Sequence, residues 1–307
     1  MQNSIQLSHR PVMVKEVLDS LDPRDNEVIM DGTFGAGGHS SAILERNSSC
    51  RVIGIDRDET VRKFADKIKL EYGNRFTFYN VKFSEIKNVV ESNSLNGIIL
   101  DLGVSSMQLD NTDRGFSFGR EGKLLMTMGR NGITAYDVIN SFSQEKIASI
   151  IYNFGDEVKS RAIAEKIVKY RKLKTIETTT ELAALVKSCF ARRGRIDNAT
   201  KTFQAIRIFV NDELGELETI LKYSIDLLKK NGRIAVITFN SLEDRIVKKF
   251  FSASGNMKNR KIDKYGLNES DSYIFDIPRK KPIVASDAEI YRNIRSRSAK
   301  LRWAIKC

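Results

Sequence analysis

The chain has 307 residues, 41% of them apolar and 29% charged, enough for one large or two ordinary domains with real cores. No apolar run approaches the ~20 residues of a membrane span, and the N-terminal MQNSIQLSHRPV carries neither the apolar core of a signal peptide nor the length of a transit peptide. Three scattered cysteines (Cys50, Cys189, Cys307) and two histidines (His9, His39) build neither a disulfide framework nor a metal site, so a cytoplasmic protein without membrane or metal is expected.

The net charge of +12 points to a polyanionic partner. Placement sharpens this: between Arg279 and Cys307 there are nine basic residues against two acids, Asp287 and Glu289. Smaller basic clusters lie at Arg192-Arg193-Gly194-Arg195, at Lys248-Lys249 and between Lys258 and Lys264. Nucleic acid fits this pattern better than a membrane surface.

In chain order, Val14, Val17, Leu18 and Leu21 recur at helical spacing and predict a short amphipathic helix over 11–21. The apolar run Val28-Ile29-Met30 ends at Asp31, and Gly32, Gly35, Gly37 and Gly38 follow within seven residues, before a helix-compatible Ser40–Arg46. Strand, glycine turn and helix let a backbone approach a bound cofactor, and the helix presents unpaired N–H groups to it. A second apolar run, Arg51 to Ile55, ends at Asp56, about the ~20-residue offset from Gly37 at which an acid takes ribose hydroxyls. A ligand-free turn and a dinucleotide site compete with a methyl-donor site here. An acid at the strand's end and the lack of an arginine for a 2′-phosphate favour S-adenosylmethionine.

A helix over 58–72, a strand over Phe76–Asn80, a helix over Ser84–Ser92 and a strand over Gly97–Asp101 complete four strands alternating with helices. That alternation predicts an α/β, parallel, doubly wound sheet. Asp31, Asp56 and Asp101 then share its carboxyl edge, where ligands bind in such sheets. Loop-like stretches rich in glycine and serine follow Asp101, and from Ala135 to about Phe190 only helical periodicity is found. Residues 108–200 are therefore expected to form a helical insertion, between a first part (1–107) and a second part (201–307) of the sheet domain. Phe203–Leu221 reads as one amphipathic helix covering the sheet, Arg233–Phe239 as a strand, Ser241–Asp244 as a capped helix start, and Leu301–Ile305 as a closing strand.

The segments DGTFGAGGHS, IDRD, GIILDLGVSSMQLD, DRGFSF, TFQAIRIFVNDEL, SLEDRIVK and RSRSAKLR resemble the bacterial ribosomal RNA small subunit methyltransferase H family over nearly the whole chain. The resemblance implies a Rossmann-like class I methyltransferase sheet with an inserted helical substrate-recognition domain. It also implies S-adenosyl-L-methionine as cofactor, and as activity the methylation of a cytidine N4 amine in the decoding region of 16S ribosomal RNA within the small ribosomal subunit. Carried over by motif, cofactor contacts fall on Gly37, Gly38, His39, Asp56, Phe83, Asp101 and Gln108. Asp101 doubles as the candidate catalytic acceptor for the amine proton. Phe116 and Phe118 are candidates for stacking on an unstacked base, with ordinary packing of one of them the equal alternative.

The chain departs from the family pattern at several places. Where the family reads LDMRMD this sequence has Leu124-Leu125-Met126-Thr127-Met128-Gly129, and the usual histidines are replaced by Asn240 and Asp197, the usual proline by Ile294. A nicotinamide-dependent oxidoreductase on the same sheet and a non-catalytic RNA-binding assembly factor are the competing functional readings.

Overall fold

The computed structural model describes residues 11–129, 132–191, 197–255 and 273–307. His9, the Arg192–Arg195 cluster and the Lys258–Ser272 segment lie outside the described residues. Two compact units emerge: residues 1–103 with 214–307, and residues 104–213.

The first unit begins with α1 (Val14–Leu21), β1 (Val28–Asp31), α2 (Gly38–Arg46), β2 (Arg51–Ile55), α3 (Arg62–Tyr72), β3 (Phe76–Tyr79) and β4 (Leu95–Asp101). The chain then enters the second unit with α4 (Ser106–Asp110), α5 (Ala135–Ser141), α6 (Gln144–Gly155), α7 (Ser160–Arg171), α8 (Thr179–Lys187) and α9 (Thr200–Asn211). It returns through α10 (Glu213–Leu227), β5 (Leu228–Thr238), α11 (Ser241–Ser254), β6 (Phe275–Asp276), β7 (Ile283–Val284), α12 (Asp287–Arg292) and β8 (Lys300–Lys306).

The sheet runs β3-β2-β1-β4-β5-β8-β6, with β7 also on β8. Strands β1 to β5 pair in parallel, and β8 runs antiparallel to β5. One face is packed by α10 and α11: Leu217, Ile220, Leu221, Val247 and Phe251 meet Met30, Ile98, Leu100, Ile234 and Val236. Each such side chain taken from water contributes roughly 1.5–3 kcal/mol. Polar–apolar periodicity on the helices and near-continuous apolar runs on β4 and β5 are what a sheet covered on both faces requires.

In the second unit, α5 to α9 surround a core of Ile139, Ile147, Ile151, Ile163, Ile167, Leu182 and Phe203. Thr134, Ser143 and Thr178 cap α5, α6 and α8, each accepting a backbone N–H of the first turn.

Two expectations need correcting. Phe203–Leu221 is not one helix: Asp212 adopts φ 47°, its N–H closes back onto Ile208 and Phe209, and the helix breaks there. Phe203 and Ile206 consequently join the helical core, whereas Leu217, Ile220 and Leu221 join the sheet. The compact helical unit spans residues 104–213. The expected helix over 84–92 is a 3-10 turn, Phe83–Asn88; Glu216 of α10 accepts both the backbone N–H (2.9 Å) and the hydroxyl (2.9 Å) of Ser84.

Candidate active site

Register fixes where the acids lie. Asp31 pairs with Gly54 of β2 and Ile99 of β4, so Asp56 and Asp101 each follow that level by two residues. All three acids stand at the carboxyl edge of one parallel sheet.

The glycine turn is locked onto its neighbours. Phe34 N–H donates to Ile55 O (2.9 Å), and Gly37 N–H to Phe34 O (2.7 Å). Gly37 sits at φ 78°, and a Cβ there would lie 2.2 Å from Ile68 Cδ1. Only glycine meets both demands. Gly38, the first residue of α2, has Pro11 at its back, with Cγ 2.8 Å from where a Cβ would stand. Asp31 is wholly buried and structural in its contacts: its carboxylate accepts Ser40 Oγ (2.7 Å) and Thr33 N–H (3.3 Å), tying the strand's end to α2. Burial pushes its carboxyl above the usual range, against the pull of His39 and Ser40.

Asp56 follows β2. One carboxylate oxygen accepts Gly35 N–H (2.8 Å) and the other Asp58 N–H (2.8 Å), so the side chain also braces the glycine turn. Burial pushes its pKa up from 3.8 to about 6; the two backbone donors pull the other way without prevailing. An ionised carboxylate has about four acceptor positions. Two hydroxyl donors can therefore be accommodated beside the two backbone ones.

Asp101 closes β4. Its N–H donates to Thr33 Oγ1 (2.6 Å), which joins the end of β4 to the loop after β1. Its Oδ2 lies 3.4 Å from His39 Nε2, too long for a good hydrogen bond, while Oδ1 is buried with no hydrogen-bond partner among the described residues. His39 is 5% exposed. Burial alone would depress its pKa, but Asp101, Asp31 and Glu289 outweigh that and hold it above the ordinary value. The histidine thus sits buried beside Asp101, with Asp31 and Glu289 also close enough to favour its protonated form.

Phe83 opens the turn after β3. It is half-buried, with Cε1 3.3 Å from the position a Cβ would take on Gly32, and it also packs against the sheet core. One unit thus gathers Gly37, Gly38, His39, Asp56, Phe83 and Asp101 on the carboxyl edge. Gln108 belongs to the other unit, where it is buried and closes the capping box of α4: Ser105 N–H donates to Gln108 Oε1 (2.9 Å) and Gln108 N–H to Ser105 Oγ (3.2 Å). Thr33, Ser40 and Asn80, whose Nδ2 donates to Asp56 O (2.7 Å), were not singled out from sequence. Thr33 and Ser40 lie inside the DGTFGAGGHS motif, so the signal was present; nothing local marks Asn80.

The stacking assignment for Phe116 and Phe118 is corrected. Phe116 is buried under the Arg114 guanidinium (5.3 Å), and Phe118 packs on Phe203 (4.8 Å) with Lys187 over its ring. Both rings are engaged within the helical unit. The family departures are also accounted for. Leu124, Met126 and Met128 are buried, and Asn211 clamps their backbone by donating to Met126 O (2.7 Å) and accepting Met128 N–H (2.8 Å). Asp197 pairs with Lys187 (2.9 Å) and accepts Ala199 N–H (3.0 Å). Asn240 caps α11, accepting Leu242 and Glu243 N–H (3.0 Å each), and Ile294 is exposed.

A nucleoside-bearing sulfonium suits this edge on structural grounds. No side chain caps the start of α2, Asp56 retains acceptor positions, and Asp101 Oδ1 lacks a donor among the described residues. Among the described residues no cluster of His, Cys, Asp and Glu could hold a metal ion.

A 3-2-1-4-5 parallel order, a glycine turn after β1 and an acid after β2 define the class: a Rossmann-like class I methyltransferase that uses S-adenosylmethionine. The chain belongs to the MraW methylase family, whose sequence profile matches residues 6–307. It is 50% identical over 301 residues to the ribosomal RNA small subunit methyltransferase H of Wolbachia sp. subsp. Drosophila simulans (strain wRi), covering 96% of this chain and 98% of that one. It is 48% identical over 300 residues to the protein of the same name from Rickettsia massiliae (strain Mtu5), covering 97% of each. Among solved structures, a putative methyltransferase from Streptococcus mutans in complex with SAH aligns over 97% of this chain and 100% of that one, at 12% identity and TM-score 0.43.

Proposed function

We propose that this protein transfers a methyl group from S-adenosylmethionine to the exocyclic N4 amine of a cytidine in the decoding region of 16S ribosomal RNA, presented within the small ribosomal subunit. The names of the relatives, at about half identity and near-complete coverage, support a ribosomal RNA substrate. The observation that carries the chemistry is the buried Oδ1 of Asp101, which has no hydrogen-bond partner among the described residues, beside the buried His39.

When bound, S-adenosylmethionine supplies an electrophilic methyl group on sulfur. The residues of this chain supply position. Asp56 takes the ribose hydroxyls, Gly37, Gly38 and the first turn of α2 offer backbone N–H groups, and Phe83 walls the adenine side. The cytosine amine is a poor nucleophile because its lone pair is delocalised into the ring. Asp101 Oδ1 accepts an N–H of that amine, which lets the nitrogen pyramidalise. A strong base is unnecessary, since the proton can leave after attack. His39, 3.4 Å from Asp101 Oδ2, helps hold that side chain in place, and the helical unit that follows Asp101 in the chain recognises the RNA.

Mass spectrometry of ribosomal RNA nucleosides, from cells with and without this protein, tests the reading. Loss of one N4-methylated cytidine upon deletion is expected. An unchanged nucleoside profile, with no label transferred from S-adenosylmethionine to small subunits in vitro, would overturn it and favour a non-catalytic assembly factor.

A further inference from the structure

The sheet has an irregular outer edge. On β8, Lys300 and Leu301 pair with β7, and Ile305 and Lys306 pair with β6. Among the described residues, no strand pairs with the stretch Arg302–Ala304 on that side. A cavity of about 150 Å3 opens there, lined by Lys248, Phe251, Ile277, Arg279, Lys280 and Trp303, with Ser252 and Arg302 completing it.

Two kinds of side chain meet at this cavity. Phe251, Ile277 and Trp303 give it an apolar wall. Arg302 is a fixed strut: its Nε donates to Asp244 Oδ1 (2.7 Å) and its Nη1 to Lys280 O (3.0 Å), which pins the β6–β7 connection against α11. Lys248, Arg279 and Lys280 differ from it. Each is exposed, and none has an acidic partner among the described residues. The cavity lies at strand positions that align, through β5, with residues 98–100 of β4, two strands away from Asp101. At about 4.8 Å per strand, it is separate from the carboxyl-edge site.

We propose that this edge cavity is a second RNA contact, which takes a single-stranded segment: one base against the apolar wall and its flanking phosphates on Lys248, Arg279 and Lys280. Unpaired cations around an apolar slot match a nucleotide, which is flat and apolar on its faces and anionic along its backbone. An acidic peptide would use the cations and leave the slot empty. The inference rests on the RNA-methylating reading and extends it, because it gives the substrate a footing away from the reacting base. It also gives a purpose to basic residues that internal contacts do not use; Arg302 and Lys306 are held inside, the latter donating to Ile225 O and Leu228 O (2.6 Å each).

Trp303 is the only tryptophan in the chain, so intrinsic fluorescence reports on this wall directly. The full-length protein is titrated with a short single-stranded ribo-oligonucleotide, and separately with an oligoglutamate of equal charge, across a salt series. Fluorescence change with the oligonucleotide only is expected. The double variant Lys248→Ala/Lys280→Ala should bind the oligonucleotide about tenfold more weakly, with a log–log salt slope flatter by roughly 1.4 for two lost contacts. Its affinity for S-adenosylmethionine should stay unchanged. An unaltered affinity and slope in the variant, or an equal fluorescence change with oligoglutamate, would overturn the proposal. Label transfer to small subunits by the unsubstituted protein is measured alongside. Failure there would strike the catalytic reading, whereas normal transfer with unaltered oligonucleotide binding in the variant strikes the cavity alone.

Discussion

Asp56 couples cofactor binding to pH in a way the structure lets one work out. Burial raises its pKa from 3.8 to about 6 in the folded protein. The folded chain therefore holds this proton to higher pH than the unfolded one. Its contribution to stability is present below about pH 4 and is lost as pH rises through about 6, a difference of about 3 kcal/mol for two pKa units. Ribose hydroxyls donate to the carboxylate and so favour its ionised form. Binding must then expel a proton wherever the free protein still carries it. With a free-state value of about 6 and a bound value near the ordinary one, affinity should fall about tenfold from pH 7 to pH 5. Isothermal calorimetry in buffers of different ionisation enthalpy reads both the affinity and the released proton. His39 is held above its ordinary value by Asp101, Asp31 and Glu289 against the effect of burial. Asp56→Asn should abolish the slope. It should also weaken binding at pH 7, since the amide can accept only one of the Gly35 and Asp58 N–H groups and leaves the other facing its NH2, a loss of about 1–3 kcal/mol. A pH-independent dissociation constant in the unsubstituted protein, or the same slope in the variant, would refute the assignment of Asp56 to the ribose.

Asp101→Asn should lower the methyl-transfer rate at least a hundredfold with under threefold change in S-adenosylmethionine affinity, the range expected for a proton acceptor; equal losses in both, by single-turnover kinetics and calorimetry, would make Asp101 a cofactor residue only. Gly37→Ala should cost about 2–4 kcal/mol, combining a positive φ with a clash against Ile68 and Phe34, and lower the melting temperature by several degrees in differential scanning calorimetry. Asn211→Ala leaves Met126 O and Met128 N–H buried without partners and should destabilise the helical unit by about 1–3 kcal/mol; urea denaturation followed by hydrogen exchange on 104–213 would show an unaffected midpoint if the clamp were dispensable.

Particular residues show what could be foreseen and what could not. The tight turn at Gly37 and Gly38 could be foreseen, because a strand-ending acid followed by closely spaced glycines asks for a backbone that a Cβ would block. Phe116 and Phe118 stayed open from sequence, since an aromatic in a glycine-flanked loop has the same local composition whether it waits for a base or is already packed; Phe203 and Arg114 lie beside them in the fold. The break at Asp212 was likewise invisible. The apolar period runs unbroken across it, yet one left-handed residue ends the helix there, and two parts of a single stripe enter two different cores.

The sequence by itself determined the alternation of strands and helices, the insertion after β4 and the level of Asp31, Asp56 and Asp101, because periodicity and strand ends are properties of neighbouring residues. Tertiary structure alone decided the rest. It raised the pKa of His39 by bringing acids from β1, β4 and α12 around it, left Asp101 Oδ1 without a donor among the described residues, and opened a cationic slot where two short strands fail to meet along β8. Each of those depends on groups far apart in the chain, whose burial and charge exist only once the chain has closed on itself.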